Sequence, residues 1–170
     1  MMGGVAPRTD RIELLLLRHA DAGDPDAWEG PDAVRPLSAK GRRQADRVAA
    51  WLTRIEHRPD VILSSPKVRA LETAEAIAQA FEMPVAQEAR LAGPLDVPVL
   101  GEILADAGRP ARPMLVGHDP DFSHLAAVLA GAPTLEIRKG ALVRIDFEPP
   151  IEAGSGIVRW VVPPDALPGA

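Results

Sequence analysis

The chain has 170 residues, 46% of them apolar and 25% charged, the values of one ordinary globular domain with little room for a second. Its net charge is −5, which speaks against non-specific nucleic-acid binding, because that needs a basic face to displace counterions. There is no cysteine, so disulfides, thiolate metal sites and a cysteine nucleophile are excluded together.

Residues 1–9 and 164–170 read as frayed ends around a single domain at 10–163. The opening MMGGVAPRTDR lacks a signal peptide's apolar core. The first strand, Ile12 to Leu17, is the longest strongly apolar stretch and is too short to span a bilayer. The expectation is a cytoplasmic protein with no membrane partner, and a monomer by default. That strand is a near-continuous apolar run of the kind buried on both faces, and it ends at Arg18-His19. A looser stretch rich in Gly, Asp and Pro follows, from Ala20 to Pro36. A helix then starts with Ser38 as N-cap, carries Ala45, Val48, Ala49, Leu52 and Ile55 at helical spacing, and should end near His57.

The second strand is residues 61–64, and Ser65-Pro66 reads as the N-cap and first position of a helix whose inner stripe is Leu71, Ala74, Ala78 and Phe81. Val85 marks a short third strand, and residues 97–107 a shorter helix. The strand at 113–117 leads into a helix from Asp119 to Leu129, with Asp119 and Asp121 near its cap. ALVRIDF (141–147) and GIVRWVV (156–162) close the chain as two β-runs around a turn. Strands alternating with helices imply a three-layer α/β/α domain with a mostly parallel central sheet and an antiparallel edge at the C-terminus.

Three polar clusters fall at the C-terminal ends of three expected parallel strands: Arg18-His19, Ser64 to Arg69, and Gly117-His118. Ligands bind at that edge of open α/β sheets. Arg69 lies in the first turn of its helix, where a cation opposes the helix dipole unless an anion also sits there. No HExxH or other metal-ligand spacing occurs. Arg42, Arg43 and Arg47 read as a solvated helix face.

Four segments in this order, LLRHADA (16–22), RPLSAKGRRQA (35–45), SSPKVRALETA (64–74) and LVGHDP (115–120), resemble the signatures of the histidine phosphatase superfamily, the phosphoglycerate mutase-like fold. The two terminal β-runs, ending in a Trp160 strand, resemble its SixA-type branch of small phosphohistidine phosphatases. The resemblance implies a metal-independent, cofactor-free phosphatase. His19 would carry the phosphoryl group, and Arg18, Arg69, His118 and the backbone N–H of Asp119 would bind it. A neutral imidazole can attack phosphorus directly, and forked guanidinium donors suit phosphoryl oxygens. Adjacent arginines should lower the pKa of His19, and a protonated His118 would add a third cation.

The resemblance thins at the general acid. RLAGPLDVPVLGEIL (90–104) lacks the family's glutamate pattern and offers only Asp96 and Glu102, so Asp21, three residues from Arg18, is the first candidate. The implied substrate is a phosphorylated protein such as a histidine phosphotransfer or phosphocarrier domain. The alternatives are a small phosphomonoester (a sugar phosphate or cofactor precursor) and, from another class, an inactive phosphate-binding regulatory module.

Overall fold

The computed structural model describes residues 10–169, so the expectation for residues 1–9 lies outside the described residues. Strand β1 (Ile12–Arg18) is the spine: Leu14, Leu15, Leu16 and Leu17 are all fully buried. It pairs in parallel with β4 (Pro113–Gly117) on one side and antiparallel with β5 (Leu142–Phe147) on the other. Both its edges are thus paired and both its faces lie under helices, which is why the sequence there is apolar without alternation. The six strands run in the order β3-β2-β4-β1-β5-β6, with β2 at Val61–Ser64, β3 at Ala86–Gln87 and β6 at Ile157–Val162. The first four are parallel, and β5 and β6 add the antiparallel edge.

Helices α1 (Ala39–Arg54) and α2 (Val68–Phe81) cover one face, packing Val48, Leu52, Ala74 and Ile77 onto Leu15, Leu17, Ile62 and Met114. Helices α3 (Val97–Asp106) and α4 (Asp121–Ala130) cover the other, packing Leu100, Ile103, Phe122 and Leu125 onto Leu14, Leu16 and Leu115. Each fully buried leucine in these layers contributes roughly 1.5–3 kcal/mol. The expected three-layer architecture is what forms.

Several boundaries shift for local reasons. Ser38 caps α1 as expected, its Oγ accepting from the Gly41 N–H at 3.0 Å. The helix stops at Arg54, because Glu56 takes a left-handed φ of 54° and turns the chain before His57. Ser65-Pro66 does not open α2, which begins three residues beyond Ser65, at Val68. Ser65 instead prolongs the β2–β4 ladder, its N–H donating to the Val116 carbonyl at 2.9 Å. The inner stripe of α2 consequently runs through Ala70, Ala74, Ile77 and Phe81, with Leu71 only half-buried. The stretch after Pro163, expected to fray, forms a short turn at Pro164–Ala166 against α1 and buries Leu167 in the core.

One glycine is required by close approach. A Cβ on Gly41, in the first turn of α1, would lie 1.9 Å from the Asp21 backbone oxygen, so only glycine lets the loop after β1 fold onto that turn. Gly41→Ala should destabilise the protein by about 1–3 kcal/mol through this overlap. Calorimetry should show a Tm lowered by roughly 2–4 °C per kcal/mol. Gly93→Ala, where a Cβ would meet nothing within 4 Å, should stay within about 0.5 kcal/mol.

Candidate active site

The strand order sets the site. β4 lies between β1 and β2, with Arg18 paired to Gly117 and Ser64 to Val116. The ladder runs one residue further on each side, His19 N–H donating to the Gly117 carbonyl at 2.9 Å and Ser65 N–H to that of Val116 at 2.9 Å. Arg18, His19, Ser65 and His118 are therefore brought side by side at the C-terminal edge, and the first turn of α2 adds Arg69. The two imidazoles lie with ring centroids 5.2 Å apart and tilted by 53°. His19, Arg69 and His118 are 6%, 6% and 9% exposed.

The surroundings of His19 fix its proton. Its Nδ1 lies 2.8 Å from the Ala20 carbonyl, which can only accept. Nδ1 therefore carries the hydrogen, and Nε2 keeps the lone pair. The backbone around the ring is held in turn: Ala20 N–H donates to Thr73 Oγ1 at 3.1 Å, and Gly140 N–H to the His19 carbonyl at 3.0 Å. Burial, followed by the charges of Arg69 and Arg18, pushes the His19 pKa down to about 4, with the Ala20 hydrogen bond opposing. The expected lowering is present, but desolvation outranks the arginines as its cause.

His118 differs from expectation. Desolvation, then His19, Lys67 and Arg69, push its pKa down to about 3, so it is neutral rather than a third cation. Its Nε2 lies 2.7 Å from Ser65 Oγ, a hydroxyl that already accepts from the Lys67 N–H at 3.3 Å. A hydroxyl proton directed to Nε2 leaves the imidazole hydrogen on Nδ1.

Both arginines are engaged by neighbouring carboxylates. Arg18 Nη1 donates to Asp119 Oδ2 at 3.0 Å and to the Ile137 carbonyl at 2.8 Å. Arg69 Nη2 donates to Asp32 Oδ2 at 2.9 Å, and its Nη1 to the Asp32 carbonyl at 2.8 Å. Asp119 also accepts from Ser123, from its N–H at 3.0 Å and its hydroxyl at 2.8 Å, which ties the start of α4. Among the described residues five buried side-chain nitrogens have no hydrogen-bond partner; Arg11 Nε and His57 Nε2 lie elsewhere, and the other three, Arg18 Nε, Arg69 Nε and His118 Nδ1, belong to this site. Buried polar atoms are almost always paired in folded proteins, so three orphans on the residues around the His19 imidazole make this edge a candidate place for an oxyanion.

The candidate acids are placed differently. Asp21 accepts from Ser38 Oγ at 2.6 Å and Gly23 N–H at 3.2 Å and lies 3.7 Å from Lys139 Nζ; the Ser38 bond above all holds its carboxyl below the usual range. Asp96 caps α3, accepting from Val99 N–H at 2.9 Å. Glu102 is an exposed helix residue 3.8 Å from Arg90. Sequence reasoning missed Asp32, which binds Arg69 across 37 positions, and Gln44, whose Oε1 accepts from Asp21 N–H at 2.9 Å. It also missed Ser65's part in orienting His118. The signal for Gln44 was a polar residue on the buried stripe of α1; for Asp32 there was none. Among the described residues no group of three His, Cys, Asp or Glu side chains is placed to hold a metal ion, and no helix is long and apolar enough to cross a membrane.

Comparison with known proteins bears on the family and the fold. The sequence profile of the histidine phosphatase superfamily (branch 1) matches residues 14–93. An uncharacterized protein of Picosynechococcus sp. is 34% identical over 140 residues, covering 78% of this chain and 83% of the relative. Phosphohistidine phosphatase SixA of Escherichia coli is 26% identical over 159 residues, covering 90% and 94%. Among solved structures, the protein histidine phosphatase SixA complexed with tungstate superposes with a TM-score of 0.78 at 24% identity, covering 91% of this chain and 98% of that one. A mycobacterial glucosyl-3-phosphoglycerate phosphatase superposes at 0.67 and 16%, covering 88% and 97%. The two superpositions speak to the fold, which a protein phosphatase and a sugar-phosphate phosphatase share. The matched segment contains Arg18, His19 and Arg69, and with the relatives that span most of the chain the chain belongs to the histidine phosphatase superfamily, whose activity is that of a phosphatase.

Proposed function

We propose that the protein is a phosphohistidine phosphatase of the SixA type, resetting a phosphorylated histidine on a partner protein through a phospho-His19 intermediate. The observation that carries this reading is the pairing of a buried, neutral His19 with three unpartnered nitrogens, Arg18 Nε, Arg69 Nε and His118 Nδ1, while the candidate acids Asp21 and Asp96 are engaged by Ser38 and by the α3 cap.

In the first step the His19 Nε2 lone pair attacks phosphorus while the bond to the leaving group breaks. Arg18 and Arg69 present positive charge to the phosphoryl oxygens before the transition state forms, so little reorganisation accompanies the reaction. Neutral His118 donates its Nδ1–H, and the Asp119 backbone N–H completes the cradle. In the second step water attacks the phosphohistidine, and His19 leaves with its Nδ1–H still held by the Ala20 carbonyl. The arginines supply the charge that a metal would otherwise bring, so turnover is expected to persist in EDTA.

The lack of a proton donor favours a nitrogen leaving group. Asp21 is held ionised by Ser38, and Asp96 is spent on the α3 cap. An alkoxide leaving group needs an acid, whereas an imidazole departs readily.

Wild type should hydrolyse a phosphohistidine-bearing protein faster than p-nitrophenyl phosphate, and His19→Ala should lose both activities. Arg69→Ala should lower the rate by about 10²–10³. Preference for oxygen esters would replace this reading with a small-metabolite phosphatase, and inactivity on both with a phosphate-binding module.

The pH dependence follows from the two imidazoles. Unfolded histidines take up protons near pH 6.5, whereas His19 and His118 resist until about 4 and about 3. The unfolded state thus binds more protons below pH 6.5, and stability should fall as pH drops from 6.5 toward 4. Nitrogen-detected NMR should show both rings neutral at pH 6, and the urea midpoint should decline over that window. A ring protonated at pH 7 would contradict the assigned nucleophile.

A further inference from the structure

The loop between β1 and α1 carries a carboxylate that the steps above leave idle. Asp32 begins a short turn, Asp32–Val34, and its side chain is 54% exposed, yet it reaches buried Arg69. Its Oδ2 takes the Arg69 Nη2 hydrogen at 2.9 Å. Its Oδ1 accepts from Arg35 Nε at 3.0 Å. Arg35 is itself buried, its Nη1 fixed to the carbonyls of Ala22 at 2.8 Å and Gly23 at 3.3 Å. Asp32 is also close enough to His118 for its charge to be felt there. The carboxylate therefore sits beside the phosphoryl cradle on an anchored arginine, at an Arg69 donor position that suits a phosphoryl oxygen. Burial works to raise its pKa, but the Arg35 and Arg69 hydrogen bonds outweigh this and keep it ionised.

Two anions cannot both hold the same guanidinium donor. A phosphoryl dianion that takes the free Arg69 Nε together with the adjacent Nη2, the two-pronged side of the guanidinium fork, displaces Asp32 Oδ2 from Nη2, while Arg35 keeps the carboxylate at the rim. His19 attacks from the buried side, so in-line displacement places the leaving atom toward the exposed rim, where Asp32 is. An ionised carboxylate only accepts hydrogen bonds. It can give nothing to an alkoxide, but it can accept from a leaving group that brings its own proton. From this we infer that Asp32 is a specificity-determining residue, its carboxylate accepting the ring N–H of a protonated phosphoimidazole leaving group and so favouring P–N over P–O cleavage. This rests on the phosphohistidine reading and extends it to the recognition of the leaving group.

The step balances without an added acid. The phosphorus–nitrogen bond of the substrate breaks, and its electron pair returns to that ring nitrogen. The new bond forms to His19 Nε2. The substrate ring keeps the proton on its other nitrogen throughout, so it enters as a phosphoimidazolium and leaves as neutral imidazole. A carboxylate facing that N–H raises the ring's pKa, and more of the bound substrate is in the reactive protonated form near neutral pH.

The test is Asp32→Asn, assayed from pH 6 to 9 with free phosphohistidine and with p-nitrophenyl phosphate, inorganic phosphate serving as inhibitor. At pH 8 the ratio of kcat/KM for phosphohistidine to that for the aryl ester should fall about tenfold or more, as expected for losing a hydrogen bond to a charged group. The loss should shrink toward pH 6, where solvent protonates the ring, and Asp32→Glu should restore part of it. Phosphate should inhibit the Asn variant at lower concentration, because Arg69 is released from an internal anion; this also reports that the pocket is folded. An unchanged ratio across pH, or equal losses on both substrates, overturns the inference and leaves the phosphohistidine reading standing. A wild type that cleaves no P–N bond removes both.

Discussion

Parallel pairing of β4 between β1 and β2 is the constraint on which the site depends. Because Arg18 is in register with Gly117, and Ser64 with Val116, three strands end level, and the residue after each end is carried to the same edge. The side chains that meet there come from positions about 50 and 100 apart in the chain, yet each is placed by a backbone hydrogen bond of its own. The apolar strands do more than fill a core: a slip of one residue in β4 would turn His118 to the other face of the sheet. Thr73 reinforces the arrangement from α2, accepting from Ala20 N–H while its hydroxyl donates to the Arg69 carbonyl at 2.7 Å. One hydroxyl thus couples the backbone beside the nucleophile to the backbone of the second arginine.

Within that frame, burial and charge act on the two imidazoles in the same direction. An imidazolium in a site lined by Arg18 and Arg69 would be disfavoured both by desolvation and by repulsion, and both rings are neutral as a result. Neutrality has opposite uses at the two positions. At His19 the Ala20 carbonyl holds the ring proton on Nδ1 and leaves Nε2 with a lone pair; at His118 the Ser65 hydroxyl engages Nε2 and leaves Nδ1 without a protein partner. Identical side chains thus present different nitrogens, because the backbone engages Nδ1 at one position and Ser65 engages Nε2 at the other.

The sequence made much of this legible and some of it not. The apolar run of β1, the Ser38 cap and the alternation of strands and helices follow from local physics, and the strand-end Arg18, His19 and His118 could be placed at one edge once a parallel sheet was expected. What stayed hidden depends on contacts distant in sequence. Ser65 before Pro66 has the form of a helix cap, but its N–H is drawn into the ladder and its hydroxyl to His118, neither of which can be seen from neighbouring residues. Asp32 lies in a loop whose composition suggests only a turn, and its partner Arg69 is on another element. Leu71 looks like the core of α2 by hydrophobicity, but the later start of that helix turns Ala70 and Ile77 inward instead.

The contrast between two arginine–aspartate arrangements shows what burial decides. At the far end of β1 from His19, Asp146 is 2% exposed and binds Arg144 at 2.8 Å and Arg159 at 2.7 Å, with Arg11 also on it, while Glu13 next to it takes Arg112 and Arg144 at 3.1 Å each. Removing the buried Asp146 would leave three guanidinium groups facing one another without their shared anion, so this cluster locks β1, β5 and β6 together. At the site, Arg69 is as buried as a core residue, but its partner Asp32 is half in solvent. Water can receive that carboxylate, so an anion that competes for the arginine need not leave Asp32 buried without a partner. The same ion pair chemistry is therefore a fixed strut where the acid is buried and an exchangeable contact where it is not, and only the second kind leaves an arginine free for a substrate.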